Sequence, residues 1–402
     1  MKVGMVSTYP PPESTHVKQG GVALYTKNLV VSLLNNCSVT VFADRMPNAD
    51  DEYCEDAKVY RCWNKGVMYP FQILKKLFNE NIDLVHVQHE VYLYGGLGSA
   101  IVFPLLLFFI RLLRKPVIVT LHGVIPLSKV DRRFLEENWI RGNPFVMKSG
   151  LIFLMKIITL FSTSIIVHEE RFKDLLIREY HCSSSKICVV HHGIEEGNDL
   201  IEKDQAKRIL GLGGKNVILF FGYITGYKNV ELLMESANFL KTRNWVMVIA
   251  GGAHPRLSDD LDYRKYLFDL REKALAISKD RILFRGFIAE EEVPLYFSAA
   301  DLVVFPYTTA ISSSGPICLA VSYKRPFLVS DSFKQVVKIE ELIFKADPQE
   351  LASKIEAFFK NQALRYKALK YTKQLGSERS WSSVAKKTIS IYEMNMSIST
   401  PI

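Results

Sequence analysis

The chain has 402 residues, of which 48% are apolar and 23% charged, as expected for a folded protein with two domains. Its formal net charge of +9 is spread over both halves, with no basic tail and no basic stretch interleaved with aromatic residues, which argues against a nucleic-acid-binding protein. A mild positive excess suits a phosphorylated substrate or an anionic membrane surface.

The sequence predicts a cytoplasmic protein. Residues 1–6 have the pattern of a strand and not of a signal peptide. The six cysteines are scattered without the paired spacing of a zinc site, so reduced thiols are expected. Segments 100–110 and 151–161 are very apolar, but each is shorter than the roughly 20 residues that a membrane span needs. Both are predicted to be helices, either buried or lying at a surface.

Apolar runs typical of strands alternate with helical patterns along the whole chain. In the first half they lie at 2–7, 38–43, 58–61, 83–88, 116–121, 164–168 and 186–190. In the second half they lie at 216–221, 245–250, 281–285, 302–305, 326–329 and 342–344. This alternation predicts an α/β protein with two doubly wound domains, each a parallel sheet covered on both faces. The boundary is expected near 193–204, where polar residues replace the apolar pattern.

Polar residues that follow the strands are candidates for function, because ligands bind outside the carboxyl ends of such strands. Gly20 and Gly21 precede a helical pattern after the first strand, and paired glycines let the backbone approach a ligand closely. His89 and Glu90 follow the fourth strand, and His122 follows the fifth. These side chains can transfer protons or bind hydroxyl groups. One histidine is more often a structural hydrogen-bonding group, but several at successive strand ends favour a site.

The adjacent His191 and His192 raise the question of a metal. Neighbouring side chains on an extended strand point to opposite faces, so the pair cannot easily hold one ion. No Asp-x-Asp pair ends a strand either. The sequence therefore predicts no metal site and no cofactor.

The strongest local pattern lies at 217–229. Five apolar residues predict a strand buried on both faces, Gly222 ends it, and Lys228 stands just before a helical pattern. A strand, a glycine loop and a helix start present backbone N–H groups to an anion, and the lysine adds a positive charge. For this stretch alone, an ordinary turn with a solvated lysine explains the pattern equally well.

A second anion-binding loop is predicted at 308–316. It contains Ser313, Ser314 and Gly315 and leads into an apolar helix. Serines and a glycine at a helix N-terminus can bind an anion through their N–H groups. The two loops together could hold one diphosphate.

Taken together, these motifs resemble the retaining glycosyltransferases of family 4, which have the GT-B fold with two Rossmann-like domains facing a central cleft. The similarity covers nearly the full length in the right order, and it is closest to a subgroup with QHE and SSG motifs. The matching residues are Gly20-Gly21, Gln88-His89-Glu90, Thr120-Leu121-His122-Gly123, His192-Gly193-Ile194, Gly222, Tyr227-Lys228, Gly251-Gly252, Gly286-Phe287, Ala300-Asp301, Pro306-Tyr307, Ser313-Ser314-Gly315 and Ser380-Trp381.

The resemblance implies that the second domain, 196–380, binds a nucleotide diphosphate sugar. Lys228 would hold the diphosphate beside Gly222, with the amides of Ser313, Ser314 and Gly315 on the other side. The backbone of Phe287 and Ile288 would contact the base.

The resemblance assigns the acceptor to the first domain, 1–195, through His89 and Glu90. From the same domain Gly20 and Gly21 would approach the phosphates, and His122 would contact the transferred sugar. Residues 381–402 would form a last helix that crosses back to the first domain. The implied reaction transfers a hexose, of the mannose or glucose type, to a glycan or a lipid-linked acceptor with retained configuration.

Three positions depart from the family pattern. Tyr223 stands where an arginine is usual, and Ile311 and Leu319 stand where two glutamates are usual. The sugar and ribose contacts of those residues are therefore unassigned. A non-catalytic subunit that binds a nucleotide sugar, and a sugar-nucleotide epimerase or phosphorylase of the same fold, remain alternatives.

A peripheral position at a membrane is also expected. Basic residues flank the two apolar segments, and an apolar helix face beside basic residues can bind anionic lipid. The alternative is that both segments are core helices of the first domain. The basic residues are Arg111, Arg114, Lys115, Lys148 and Lys156.

Overall fold

The computed structural model describes residues 1–11, 21–46, 51–54, 56–194, 201–309 and 315–399. Three predicted donor residues, Gly20, Ser313 and Ser314, and the departure at Ile311 lie outside these ranges. Within them, the chain forms two sheets with helices on both faces.

The first sheet has eight strands in the order β3-β4-β2-β1-β5-β6-β7-β8. All its pairs are parallel except β3 with β4. The seven predicted strands are present, and β3 is additional. The strands are β1 Lys2–Val6, β2 Ser38–Asp44, β3 Glu52–Cys54, β4 Ala57–Trp63, β5 Leu84–His89, β6 Val117–Leu121, β7 Ser164–Val167 and β8 Ile187–Val189. The helices are α1 Gly21–Leu33, α2 Tyr69–Phe78, α3 Leu97–Leu112, α4 Arg132–Glu137, α5 Pro144–Phe161 and α6 Glu170–Arg178.

Two apolar cores cover the two faces of this sheet. One core packs β1, β2, β4 and β5 against α1 and the last helix of the chain. The other packs the opposite face against α2, α3, α5 and α6. The apolar segments predicted at 100–110 and 151–161 lie in α3 and α5, which bury one side in this second core and expose the other.

The second sheet has six parallel strands in the order β11-β10-β9-β12-β13-β14. The central strand β9 has the buried apolar run expected of a strand covered on both faces. All six predicted strands are present. They are β9 Asn216–Phe221, β10 Trp245–Ala250, β11 Ile282–Phe284, β12 Leu302–Phe305, β13 Phe327–Ser330 and β14 Ile343–Phe344. The helices after the first sheet are α7 Lys203–Ile209, α8 Val230–Ser236, α9 Leu261–Ser278, α10 Val293–Ala299, α11 Gly315–Ser322, α12 Pro348–Lys360, α13 Gln362–Glu378 and α14 Trp381–Ser399.

The last helix, α14, packs against α1 of the first domain. Tyr392 OH lies 2.6 Å from His86 Nδ1, and Asn395 donates to the Ser164 hydroxyl. Just before α14 the chain meets the end of the first domain again, where Ile194 N donates to Arg379 O.

Candidate functional site

The loop after β9 turns on Gly222. Its φ of 120° lies in the region that favours glycine, and a 3-10 turn at Gly226–Lys228 then leads to α8. A Cβ on Gly222 would lie 3.0 Å from Lys228 Nζ and 3.1 Å from Pro316 Cγ. The lysine ammonium and the start of α11 therefore lie against the same glycine, so the described end of the second predicted loop lies beside the first loop.

The Lys228 side chain is buried, with 8% of its surface exposed. Burial lowers the pKa of its ammonium to about 8, because the charged form loses its hydration. Within the described ranges no carboxylate forms an ion pair with it, and the nearest ring, that of Tyr307, is centred 5.8 Å from Nζ. A buried cation without a partner is costly, and an anionic ligand at this position would supply the missing charge.

The ends of β10 and β11 lie close to the same loop. A Cβ on Gly251 would clash with the Gly222 carbonyl, and a Cβ on Gly252 would lie 2.9 Å from the Phe287 Cβ. The Phe287 ring is half exposed and stacks on Tyr223, with centroids 6.3 Å apart. Ile288 is buried. Tyr223, which replaces the usual arginine, therefore lies beside the predicted base contact.

His122 directly follows β6 on the first-domain side and is buried. Its Nε2 lies 2.9 Å from Gln88 Oε1, and its Nδ1 lies 3.3 Å from His168 Nε2. Burial, followed by the neighbouring His168 and His192, holds the pKa of His122 well below its usual value. The imidazole is therefore neutral at neutral pH, and both of its ring nitrogens have partners within the protein.

The structure separates the two predicted acceptor residues. His89 is only 3% exposed, and its ring packs against Phe103 of α3 with centroids 4.3 Å apart. Burial lowers the pKa of His89 to about 4. Glu90 is exposed, but loss of hydration beside the surrounding protein raises the pKa of its carboxyl. Burial, and after it the charge of Glu90, raises the pKa of Tyr227. Glu90 thus faces the Lys228 loop, whereas His89 packs against the buried side of α3.

Sequence reasoning missed a thiol–imidazole pair that joins the two domains. Cys318 lies on α11, and His192 follows β8. Burial alone would raise the pKa of the Cys318 thiol, but the charge and hydrogen bond of His192 lower it below its usual value. The two residues are far apart in sequence and belong to no common motif, so no local signal could have paired them.

A second group of contacts joins the domains beside the Lys228 loop. A Cβ on Gly226 would clash with the Glu137 carbonyl at the end of α4. Trp139 lies against Tyr263 and Tyr266 of α9, with ring centroids 4.9 and 5.1 Å apart. The first domain therefore packs directly on the loop that carries the lysine.

The described ranges also bear on metal and membrane binding. No group of three or more His, Cys, Asp or Glu side chains there is placed to hold a metal ion. One helix in these ranges, α5, is long and apolar enough to cross a membrane by length and composition alone.

Comparison with protein families gives two matches in succession along the chain. Residues 19–197 match the model named Glycosyltransferase Family 4, and residues 215–361 match the model named Glycosyl transferases group 1. The chain is 23% identical to an uncharacterised glycosyltransferase of Methanocaldococcus jannaschii, over 98% of this chain and 99% of that protein. It is 25% identical to the alpha-monoglucosyldiacylglycerol synthase of Streptococcus pneumoniae, over 61% of this chain and 53% of that protein.

Solved structures show the same architecture. Sucrose-phosphate synthase from Thermosynechococcus elongatus superposes with a TM-score of 0.76 at 18% identity, covering 99% of both chains. Anabaena HepE, in complex with UDP and glucose, superposes with a TM-score of 0.72 at 14% identity, covering 98% of this chain and 100% of that one. The predicted GT-B fold is confirmed.

Proposed function

Because the chain belongs to the glycosyltransferases of the GT-B fold, with a family 4 domain followed by a group 1 domain, we propose that it transfers a hexose from a nucleotide diphosphate sugar to an acceptor hydroxyl. The hexose is of the mannose or glucose type, and its configuration is retained. The acceptor is a glycan or a lipid-linked acceptor.

The buried ammonium of Lys228, which forms no ion pair with a carboxylate of the described ranges, carries this proposal. When the glycosidic bond to the nucleotide breaks, negative charge develops on the leaving diphosphate. A positive charge already fixed at that point stabilises the transition state without reorganisation. Gly222 and the start of α11 adjoin the ammonium, so the diphosphate can lie between the two loops.

In the proposed site, residues of the second domain bind the nucleotide, and residues of the first domain bind the transferred sugar and the acceptor. The backbone of Phe287 and Ile288 contacts the base, and Tyr223 stacks on the Phe287 ring beside it. His122 contacts the transferred sugar as a neutral imidazole, and a hydrogen bond from its ring to a sugar hydroxyl would replace one of the bonds to Gln88 and His168. Glu90 binds the acceptor. His89 acts by holding α3 in place. Retention requires no pair of carboxylates if the acceptor attacks from the face that the diphosphate leaves.

The proposed location is cytoplasmic. Among the residues whose side chains are described, five cysteines are free thiols, in agreement with a reducing compartment. No metal is part of the proposed reaction, since Lys228 takes the place of a bound cation at the diphosphate.

A panel of UDP-, GDP-, ADP- and dTDP-hexoses in a thermal-shift assay will identify the donor, because a ligand that binds only the folded state raises the melting temperature. Transfer is then measured as release of the nucleoside diphosphate with and without a panel of glycan and lipid-linked acceptors. We expect release only when an acceptor is present, and NMR of the product should show the anomeric configuration of the donor.

The alternatives give different results in the same assays. A binding subunit would bind a donor without turnover on any acceptor. An epimerase would change the sugar without net release of nucleotide, and a phosphorylase would depend on inorganic phosphate. Any of these results would contradict the proposed transfer.

A further inference from the structure

One surface of the first domain is unusually apolar. Of the twenty-two large apolar side chains that are exposed in the described ranges, thirteen lie on α2, α3 and α5 or on the two residues before α2. These segments make up only about a ninth of the chain. We call this surface the α2–α3–α5 face.

The exposed side chains form stripes along neighbouring helices. On α3, Leu97, Ile101, Leu105, Phe108 and Leu112 recur at helical spacing on the side that faces away from the sheet. The α3 helix packs between α2 and α5, and all three bury their other sides in the same core. Their exposed stripes therefore point outward together and form one continuous surface.

The charges on this face have one sign. The sequences of α2, α3 and α5 contain five basic residues and no aspartate or glutamate. Acidic residues number 42 in the 402 residues of the chain, so segments of this length would ordinarily contain about four or five. An apolar surface with only positive charges is complementary to the surface of an anionic bilayer, where apolar side chains enter the headgroup region and cations meet the phosphates. The basic residues are Lys75, Lys76, Arg111, Lys148 and Lys156. Lys76 already pairs with Asp51, with its Nζ 3.7 Å from Asp51 Oδ2, so the other four supply the charge of the face.

The face adjoins the carboxyl edge of the sheet, where the cleft opens. Since α3 is the next element after β5 and a short loop joins them, its first turn at Leu97 lies near that edge. On its buried side the same helix holds Phe103 against His89, the residue before Glu90. A helix with its side chains is about 10 Å thick. The exposed stripe of α3 therefore lies about 10 Å from the proposed acceptor side of the cleft.

We propose that the α2–α3–α5 face docks the protein on an anionic lipid bilayer, with the helices lying in the plane of the interface and the cleft opening close to the headgroups. This inference concerns membrane binding and holds whether or not the proposed transfer is correct. The α5 helix does not cross the bilayer, because Leu151, Leu154, Met155 and Ile158 are buried in the domain core and would have to leave it.

Sedimentation with vesicles tests the proposal on the full chain without any substrate. Vesicles of phosphatidylglycerol and phosphatidylcholine are compared with vesicles of phosphatidylcholine alone. The apolar variant is I101S/F153S, at positions exposed by 76% and 63%. Its matched control is I209S/F268S, at positions on α7 and α9 that are exposed by 60% and 62%. Melting temperatures establish that every variant is folded.

A second pair of variants tests the charges. The variant K75Q/R111Q/K156Q removes three exposed cations from the face, and K265Q/R271Q/K279Q removes three exposed cations at α9 and its C-terminal end. Each cation near an anionic surface contributes about a fivefold preference, so the first variant should lower the partition coefficient by about a hundredfold. The second variant should lower it far less.

We expect the wild-type protein to sediment with the anionic vesicles at low salt, to be released as salt rises, and to bind phosphatidylcholine vesicles weakly. The I101S/F153S variant should lose binding while its control retains it. The proposal is overturned if the wild-type protein stays in the supernatant, or if each variant and its control lose binding equally. It is also overturned if light scattering shows a dimer that I101S/F153S dissociates, because a second copy would then cover the face, or if high salt releases none of the bound protein.

Discussion

Replacing Lys228 with methionine should make the free protein more stable and the enzyme much less active. The ammonium is buried without a carboxylate partner in the described ranges, and methionine keeps most of its volume without the charge. Loss of one charged contact to a developing oxyanion lowers turnover by about a hundredfold or more. The same substitution removes the cost of burying the charge.

The size of that cost follows from the pKa of Lys228. Burial lowers it from 10.5 to about 8, and each unit corresponds to about 1.4 kcal/mol, so at pH 7 the ammonium destabilises the folded protein by about 3 kcal/mol. Between pH 8 and 10.5 the unfolded chain holds a proton that the folded protein has lost. Wild-type stability should therefore rise with pH across this window through Lys228, and the methionine variant should lack that contribution.

The matched control is Lys207, which is equally buried but paired. Its Nζ lies 2.6 Å from Asp301 Oδ2 and 2.8 Å from Lys215 O. Lys207→Met removes hydrogen bonds to a charged group and should destabilise the protein by about 2 kcal/mol. Urea unfolding at pH 7 measures both variants. A shift of stability in the same direction by both substitutions would refute the cost assigned to the buried charge. Transfer of sugar at the wild-type rate by folded Lys228→Met would refute the catalytic role of Lys228.

Three further predictions concern the same reaction. The wild-type kcat/KM should fall as pH rises through about 8, because the free enzyme needs Lys228 protonated; a flat profile from about pH 7 to 9.5 would contradict this. Gly226→Ala should lower the transfer rate by at least about tenfold with the fold intact, since its Cβ would clash with the Glu137 carbonyl and displace the lysine loop; a wild-type rate would show that the loop tolerates the shift. Transfer should survive excess EDTA, whereas loss of activity that magnesium or manganese restores would reveal a metal requirement.

Much of the fold could be predicted from local patterns. Thirteen strands were predicted from apolar runs, and each has a counterpart in the structure, because a strand covered on both faces needs an unbroken apolar sequence. The strand β3 was not predicted, because it has three residues and, in the described sheet, lies at the edge and pairs with β4 alone. Such a strand depends on its neighbour and carries no pattern of its own.

The site was predictable where it follows strand ends and unpredictable where the two domains meet. Gly222 and Lys228 belong to one loop, so their proximity follows from the local sequence. The position of His89 could have been predicted from the sequence. Residues alternate between the faces of a strand, so His89 cannot share a face with Gln88, which contacts His122. In contrast, the contact between Cys318 and His192 depends on how the domains pack.

The central claim, that the Lys228 loop binds the donor diphosphate, is tested most directly by calorimetry. The affinities of the wild-type protein and of Lys228→Met are measured for the preferred nucleoside diphosphate and for the corresponding nucleoside. We predict that the wild-type protein binds the diphosphate far more tightly than the nucleoside, and that the substitution weakens diphosphate binding while leaving nucleoside binding unchanged. Equal affinity of both proteins for the diphosphate would contradict the claim.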